Sequence, residues 1–277
     1  MPQPRRVAFI NEKGGSAKTT LVANIASYLA LQRGRHVLAI DMDPQGQLGK
    51  VLGVETRRAR RSAIDMLLDA VLGESDTADR RDGEPDLHLP ISHTHIPNLD
   101  VIVSNKSLAL FPAWADDPAG EGASSLAHAL DNAPETDRYD FIFFDAPPSF
   151  GALTLNVLCA TSEVVVPVPL TFLAMDGCAE LMRTVETVRN RYGNHDLSIT
   201  MVVPTFYRRT RLANEILERL KQQFPKEIAQ VVVGYHVKID EAQSRGLSIF
   251  EYAPKDRGAK TMAALAEELE SRGSVVL

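Results

Sequence analysis

Lys13, Lys18, Thr19 and Thr20 stand in the run Asn11-Glu12-Lys13-Gly14-Gly15-Ser16-Ala17-Lys18-Thr19-Thr20, and these residue types at this spacing suit phosphate chemistry. Glycines let backbone N–H groups approach an anion, a helix start adds its positive end, a lysine follows the charge and a hydroxyl reaches a divalent cation. On that chemistry Lys18 takes the β- and γ-phosphate oxygens of a nucleotide, Thr19 takes Mg²⁺ and Thr20 takes the α-phosphate. Gly14, Gly15, Ser16 and Ala17 form the cradle between them. Three acids complete the set: Asp41 and Asp43 in His36-Val37-Leu38-Ala39-Ile40-Asp41-Met42-Asp43-Pro44-Gln45-Gly46, and Asp145 closing Phe141-Ile142-Phe143-Phe144-Asp145. A carboxylate is ionised at neutral pH, accepts a proton from water and binds hard cations.

Chemistry at these positions requires elements that bring them together. Val7-Ala8-Phe9-Ile10 is a short apolar strand running into the glycine turn, and Leu21 to Leu31 continues as a helical pattern. The run 37–41 ends in acids, which places them at the carboxyl edge of a parallel sheet, where such sheets bind ligands. The run 141–145 is apolar throughout, the composition of a strand buried on both faces. Strand-like and helical patterns alternate over 7–10, 19–33, 37–41, 63–72, 99–103, 141–145, 164–168, 175–191, 198–203, 212–224, 230–233 and 259–271. That alternation predicts an α/β fold with a doubly wound, mostly parallel sheet flanked by helices. With 277 residues, 44% hydrophobic and 24% charged, the chain has enough apolar material for one core, read as a single domain over 1–277.

The glycine turn fails the ordinary Gly-x-x-x-x-Gly-Lys phosphate-loop pattern, because Glu12 and Ala17 occupy both glycine positions. It resembles instead the deviant Walker A motif, Lys-Gly-Gly-x-Gly-Lys-Thr-Thr, of the ParA/MinD/Soj group of ATPases. The resemblance implies ATP and ADP binding with Mg²⁺, and a role for Lys13 in reaching across a homodimer to the partner's phosphates. Asp41 to Gly46 is similar to the family's Asp-x-Asp-Pro-Gln-Gly switch. That implies a catalytic Asp43 that positions or activates the attacking water, and an Asp41 that supports the metal site. Asp145 falls on the family's Walker B aspartate and so on Mg²⁺. Ala17 departs from the family glycine; its Cβ adds bulk near phosphate and restricts positive φ, which bears on affinity, dimer closure and hydrolysis.

The resemblance continues through Leu99 to Asn105, Val164 to Val168 and the helix after Met175-Asp176-Gly177. Thr171 stands where many relatives carry Glu. Arg209 and Thr210 fall on a family Arg-Thr, and Val233 to Gly246 on a segment that packs against adenine in relatives. Gly234, Tyr235 and His236 replace Pro-Arg-Asn there, so Tyr235 and His236 are the candidate base contacts. The least family-like stretch is about 55–97. It holds Arg57-Arg58-Ala59-Arg60-Arg61, then a helix with Ile64, Leu67, Leu68, Val71 and Leu72 on one face, then a polar loop over 73–97. His88, His93 and His95 in that loop read as loop histidines without a metal framework, and Trp114 as a hydrophobic anchor.

Net charge is −6, so no global field attracts DNA, and nonspecific binding would need a local basic face. Arg209, Lys238, Arg245, Arg257 and Lys260 are the candidates, two of them on basic positions of the family's motifs. Three functional classes are open. The leading one is a ParA/Soj-like partition ATPase that dimerises on ATP, binds nonspecific DNA and is stimulated by a ParB-like partner. A MinD-like membrane switch would want a basic amphipathic C-terminal helix, whereas Met262 to Ser271 carries Glu267, Glu268 and Glu270. A metabolic or redox P-loop enzyme fits poorly with the Asp-Pro-Gln-Gly switch, and Cys159 and Cys178 read as small buried hydrophobes. The chain shows no transmembrane or signal-peptide pattern, so it is read as cytoplasmic, and the resemblance to ParA/Soj proteins implies that it is nucleoid-associated.

Overall fold

The computed structural model describes residues 3–72, 88–111, 121–172 and 176–272. Most of the 73–97 loop, Trp114 and Met175 lie outside the described residues.

Seven strands form one sheet: β1 (Arg5–Phe9), β2 (Val37–Asp41), β3 (Ser92–His93), β4 (Leu99–Ile102), β5 (Phe141–Asp145), β6 (Glu163–Pro169) and β7 (Ser198–Thr205). Their spatial order is β3-β4-β2-β5-β1-β6-β7, and every pairing is parallel except that of β3 with β4. The helices are α1 (Lys18–Arg33), α2 (Leu48–Val51), α3 (Ala63–Leu72), α4 (Ser125–Asn132), α5 (Ala152–Ala160), α6 (Asp176–Arg191), α7 (Arg211–Gln223), α8 (Val237–Gln243), α9 (Ile249–Tyr252) and α10 (Arg257–Arg272).

Strand alternation sorts the core into two layers. Val7 and Phe9, Val37 and Ala39, Phe141 and Phe143, and Met201 and Val203 join one cluster, covered by α1 and α10. Ala8, Leu38, Ile40, Ile142, Phe144 and Val202 point the other way, under α3, α4, α5, α6 and α7. Both faces are covered, which explains why β5 carries no polar residue before Asp145. A slip of one residue would exchange the two faces, so the apolar pattern holds the register. The carboxyl edge is thereby held as well: Asp41 and Asp145 sit side by side in the β2–β5 pairing, and Phe9 pairs with Asp145.

The expected strand at 230–233 does not form. Only isolated bridges join this stretch to the sheet, Val202 with Ile228 and Tyr207 with Gly234. The backbone N–H groups of Gln230 and Val231 instead donate to the Glu268 carboxylate at 3.0–3.2 Å, so a side chain of α10 takes the bonds a ladder would need. Arg272 closes the same corner by donating to the carbonyls of Thr200, Glu227 and Ile228. The helix expected at 63–72 is present, with Ile64 and Leu67 buried under the sheet.

Candidate nucleotide site

The entry to the glycine turn is held by Asn11, a buried side chain that works in two directions. Its Nδ2 donates to Pro167 O at 2.6 Å, and its Oδ1 accepts the Lys13 N–H at 2.8 Å. The turn is thus tied to β6 on one side and shaped locally on the other. Beyond it, a Cβ added at Gly14 or Gly15 would meet nothing within 4 Å, and Gly15 has φ +70°. The cradle is open where an anion would approach. Ala17 precedes α1 without a side-chain cap, which leaves the first N–H groups of the helix to an external acceptor.

Lys18 is buried, and its Nζ donates to Asn11 O at 2.9 Å. Burial pulls its ammonium below the ordinary lysine range, opposed by Asp145 and Asp43. Thr19 Oγ1 donates to Asp145 Oδ2 at 2.6 Å, while Asp145 Oδ1 is buried with no partner. Burial pushes the Asp145 carboxyl up to about 7, with the Thr19 hydrogen bond and Lys18 pulling it down. A hydroxyl beside an unsatisfied buried carboxylate is a hard oxygen donor pair, which fits Mg²⁺.

Asp41 is fully buried, and burial together with Asp145 raises its carboxyl well above the usual range. Its two oxygens accept the N–H groups of Asp43 at 3.1 Å and Leu48 at 2.9 Å, so Asp41 shapes the turn that presents Asp43. Asp43 Oδ1 accepts Gln45 N–H at 2.9 Å. Gly46 has φ +60°, and a Cβ there would lie 2.6 Å from Ser104 O, so the turn packs against the end of β4 and only glycine fits. Lys13 is different in kind: its Nζ is exposed and donates to Thr171 Oγ1 at 2.7 Å.

A family model described as an AAA domain matches residues 4–199. The sporulation initiation inhibitor protein Soj of Bacillus subtilis is 34% identical over 273 residues, covering 96% of this chain and 98% of that protein. The chain belongs to the ParA/Soj family. The chromosome partitioning protein ParA of Caulobacter vibrioides is 33% identical, covering 97% of this chain and 94% of that protein. A solved structure from Mycobacterium smegmatis, described as cobyrinic acid a,c-diamide synthase with bound ATP analog and magnesium, superposes with TM-score 0.79 at 27% identity over 98% of this chain and 96% of that one. The septum site-determining protein MinD of Pyrococcus horikoshii, complexed with Mg-ADP, shares the fold at TM-score 0.69 and 20% identity, covering 98% of each chain. This ParA/Soj-family protein is an ATPase of the partitioning and positioning class, and its nucleotides are ATP and ADP with Mg²⁺. Among the described residues no helix is long and apolar enough to cross a membrane.

Ala17, the departure from the ParA/Soj loop, adopts φ +77° and ψ +20°, the left-handed conformation that glycine would supply. Its methyl packs against the apolar cluster beneath α1. Left-handed backbone costs an alanine about 1–2 kcal/mol. Replacement by glycine removes that cost but loses roughly 0.8 kcal/mol of methyl burial and about 0.5–1 kcal/mol of backbone entropy. These terms nearly cancel. Ala17→Gly is therefore expected to change stability by less than about 1 kcal/mol and ADP affinity by less than about threefold, because the loop already has the glycine shape. Thermal melts and an ADP titration check this, and a tenfold gain in affinity would show that the methyl obstructs phosphate.

The candidate base contacts diverge. His236, which precedes α8, has a buried Nε2 without a partner, and burial lowers its pKa, with Asp256 opposing. Tyr235 is 53% exposed, and its hydroxyl donates to Asp240 at 2.6 Å. The histidines of 88–97 each meet a separate carboxylate: His88 with Glu135, His93 with Asp100 and His95 with Glu251.

Of the candidate DNA residues, Lys238 and Arg245 gather on the Tyr252 ring at 5.7 and 4.9 Å, and Lys238 also pairs with Glu241 at 2.7 Å. Arg209 follows Tyr207, whose bridge to Gly234 runs its segment beside the one leading to Lys238. Arg257 and Lys260 lie exposed on the first turn of α10. Gly53, which precedes the arginine run, packs beside Arg245: a Cβ there would lie 2.6 Å from Gly246 O. Arg58 and Arg61 are paired with Glu55 and Asp69, whereas Arg57 and Arg60 have no ion pair among the described residues.

Proposed function

We propose that this ATPase is an ATP-switched homodimer that binds nonspecific DNA along the nucleoid, and that it partitions or positions DNA or another cargo. A ParB-like partner stimulates its slow hydrolysis. The carrying observation is the separation of its two loop lysines. Lys18 is buried in its own cradle, whereas Lys13 has an exposed ammonium resting on a neutral threonine hydroxyl. One lysine suffices to follow the β- and γ-phosphates within a protomer, so Lys13 is available to the nucleotide of a second copy.

In this reading the cradle of Gly14, Gly15, Ser16 and Ala17 holds the phosphates, Lys18 the β- and γ-oxygens and Thr20 the α-phosphate, with His236 and Tyr235 toward the base. Thr19 and Asp145 would hold Mg²⁺, with Asp41 supporting, and the metal would neutralise charge gathering on the phosphate oxygens. Asp43 orients the attacking water. Residues 1–277 act as one ATPase unit, to which about 55–97 is an addition. Dimerisation doubles a small number of cations on one symmetric surface, so a nucleotide switch becomes a DNA switch despite a net charge of −6.

The test is a gel shift with random-sequence DNA, with and without ATP. Arg209→Glu or Lys238→Glu is expected to weaken binding about tenfold on every sequence, lower the salt slope by about one per lost phosphate contact, and leave the ATP-dependent dimer seen by light scattering unchanged. Failure of ATP-bound wild type to bind DNA at low salt sinks the reading. Loss of the shift in Arg58→Glu with Arg61→Glu, while the other two variants bind normally, moves the surface to the arginine run.

A further inference from the structure

Thr20 and Gln243 are 223 positions apart and meet at the edge of the nucleotide site. Thr20 Oγ1 donates to Gln243 Oε1 at 3.4 Å, the long limit of a hydrogen bond. The other end of the same carboxamide, Gln243 Nε2, is buried without a partner. A buried donor left unmade is costly, and natural structures rarely keep one without a use. Both backbones are held in place. Thr20 O accepts Asn24 Nδ2 at 2.8 Å, and Asn24 Oδ1 accepts Ile249 N–H at 3.0 Å, which ties the first turns of α1 to the segment following α8. Any adjustment at this contact falls to the side chains.

We propose that Gln243 is a positioning residue that reads nucleotide occupancy at Thr20 by a half-turn of its carboxamide; the inference rests on Thr20 being a phosphate ligand, as proposed above. A threonine hydroxyl has one proton to donate. In the resting site that proton goes to Gln243 Oε1. When a phosphate oxygen takes it, Thr20 Oγ1 presents only lone pairs toward Gln243, and an acceptor facing an acceptor is repulsive. Rotation about the terminal, roughly two-fold torsion of glutamine brings Nε2–H onto Oγ1 instead. The long contact is replaced by a donated bond, the orphaned donor is satisfied, and the hydroxyl is oriented toward phosphate. Gln243 closes α8, the helix that also carries Lys238, so the turn registers occupancy on that element.

ADP affinity in a double-mutant cycle tests this. Gln243→Leu keeps the volume and removes the donor, and is expected to weaken ADP binding three- to tenfold when Thr20 is present. In a Thr20→Val background, which itself binds ADP more weakly, the same change is expected to have less than a 1.5-fold effect, a coupling that mere support of α8 would not produce. Should the leucine variant fold poorly, wild-type protein supplies the second readout. The Gln243 side-chain NH₂ resonances are expected to move on ADP titration and to exchange more slowly with water. A neutral Thr20→Val overturns the phosphate-ligand reading together with the inference. A weakened Thr20→Val combined with a neutral Gln243→Leu, equal losses in both backgrounds, or unmoved NH₂ resonances overturns the inference alone.

Discussion

Asp43→Ala is expected to lower ATP turnover by about 10²–10⁴-fold, the usual loss for a group that orients or deprotonates a nucleophile, while ATP and Mg²⁺ still bind. The two effects separate because Asp43 is not part of the cradle. Its backbone N–H and one carboxylate oxygen are spent on the turn, to Asp41 and from Gln45, which leaves the other oxygen uncommitted to the turn. Alanine removes that oxygen, and the Asp41 bonds to Asp43 N–H and Leu48 N–H continue to hold the turn. An ATP-bound dimer should therefore accumulate and persist, as light scattering and single-turnover hydrolysis would reveal. Adding Lys13→Ala to the same protein should dissolve the trapped dimer and leave ADP binding nearly intact. A fall in turnover of less than about tenfold would remove Asp43 from the water-positioning role, and an undiminished dimer in the double variant would remove Lys13 from the interface.

Asp145→Asn should have the next largest effect, with opposite signs on activity and stability. Burial raises this carboxyl from 3.8 to about 7, so between roughly pH 4 and 7 the folded resting protein keeps a proton that the unfolded chain has released. Stability contributed by that proton is present at low pH and is lost as pH rises through about 7. Asparagine never ionises. The variant should therefore melt a few degrees higher than wild type at pH 8, a gain on the order of 1–3 kcal/mol, and the difference should vanish near pH 4. Turnover supported by Mg²⁺ should meanwhile fall at least about 100-fold, because a neutral amide replaces the anionic oxygen available to the cation. In wild type Mg²⁺ competes with the proton, so its affinity should drop roughly tenfold per unit below pH 7. Equal melting temperatures at pH 8 would show that Asp145 is not a strained acid, and undiminished Mg²⁺-dependent turnover would show that it is not a metal ligand.

Which parts of this protein were legible in one dimension follows from the range of the forces involved. The phosphate loop, the Asp41–Gly46 turn and the β5 strand ending in Asp145 are contiguous strings, and each carries its own geometry: glycines for the turn, apolar residues for the strand, acids where the strand stops. Strand alternation and helical periodicity are local as well, so the doubly wound sheet and the amphipathic helix over 63–72 could be read from residue order. The Ala17 substitution shows a limit even within a local motif. The residue type argues against a left-handed backbone, yet the chain adopts it, and the methyl finds apolar contact beneath α1. The 230–233 stretch shows the opposite limit. Its β-branched run is a good strand candidate, but Glu268 from α10 takes the N–H groups a ladder needs.

By itself, then, the order of residues determined the glycine turn ahead of α1, the acids at the strand ends and the layered α/β plan, since nearest-neighbour sterics and periodic burial act along the chain. Only the tertiary structure decided which distant groups meet around them. Lys13 rests on Thr171, Thr19 on Asp145 and Thr20 on Gln243, and Gly53 packs on Gly246, each pair more than 120 residues apart. Such contacts carry no periodic signal. They exist because β1, β2, β5 and β6 end on one edge of the sheet and α8 and α10 fold back over it. That closure depends on the core as a whole and on no single segment of it.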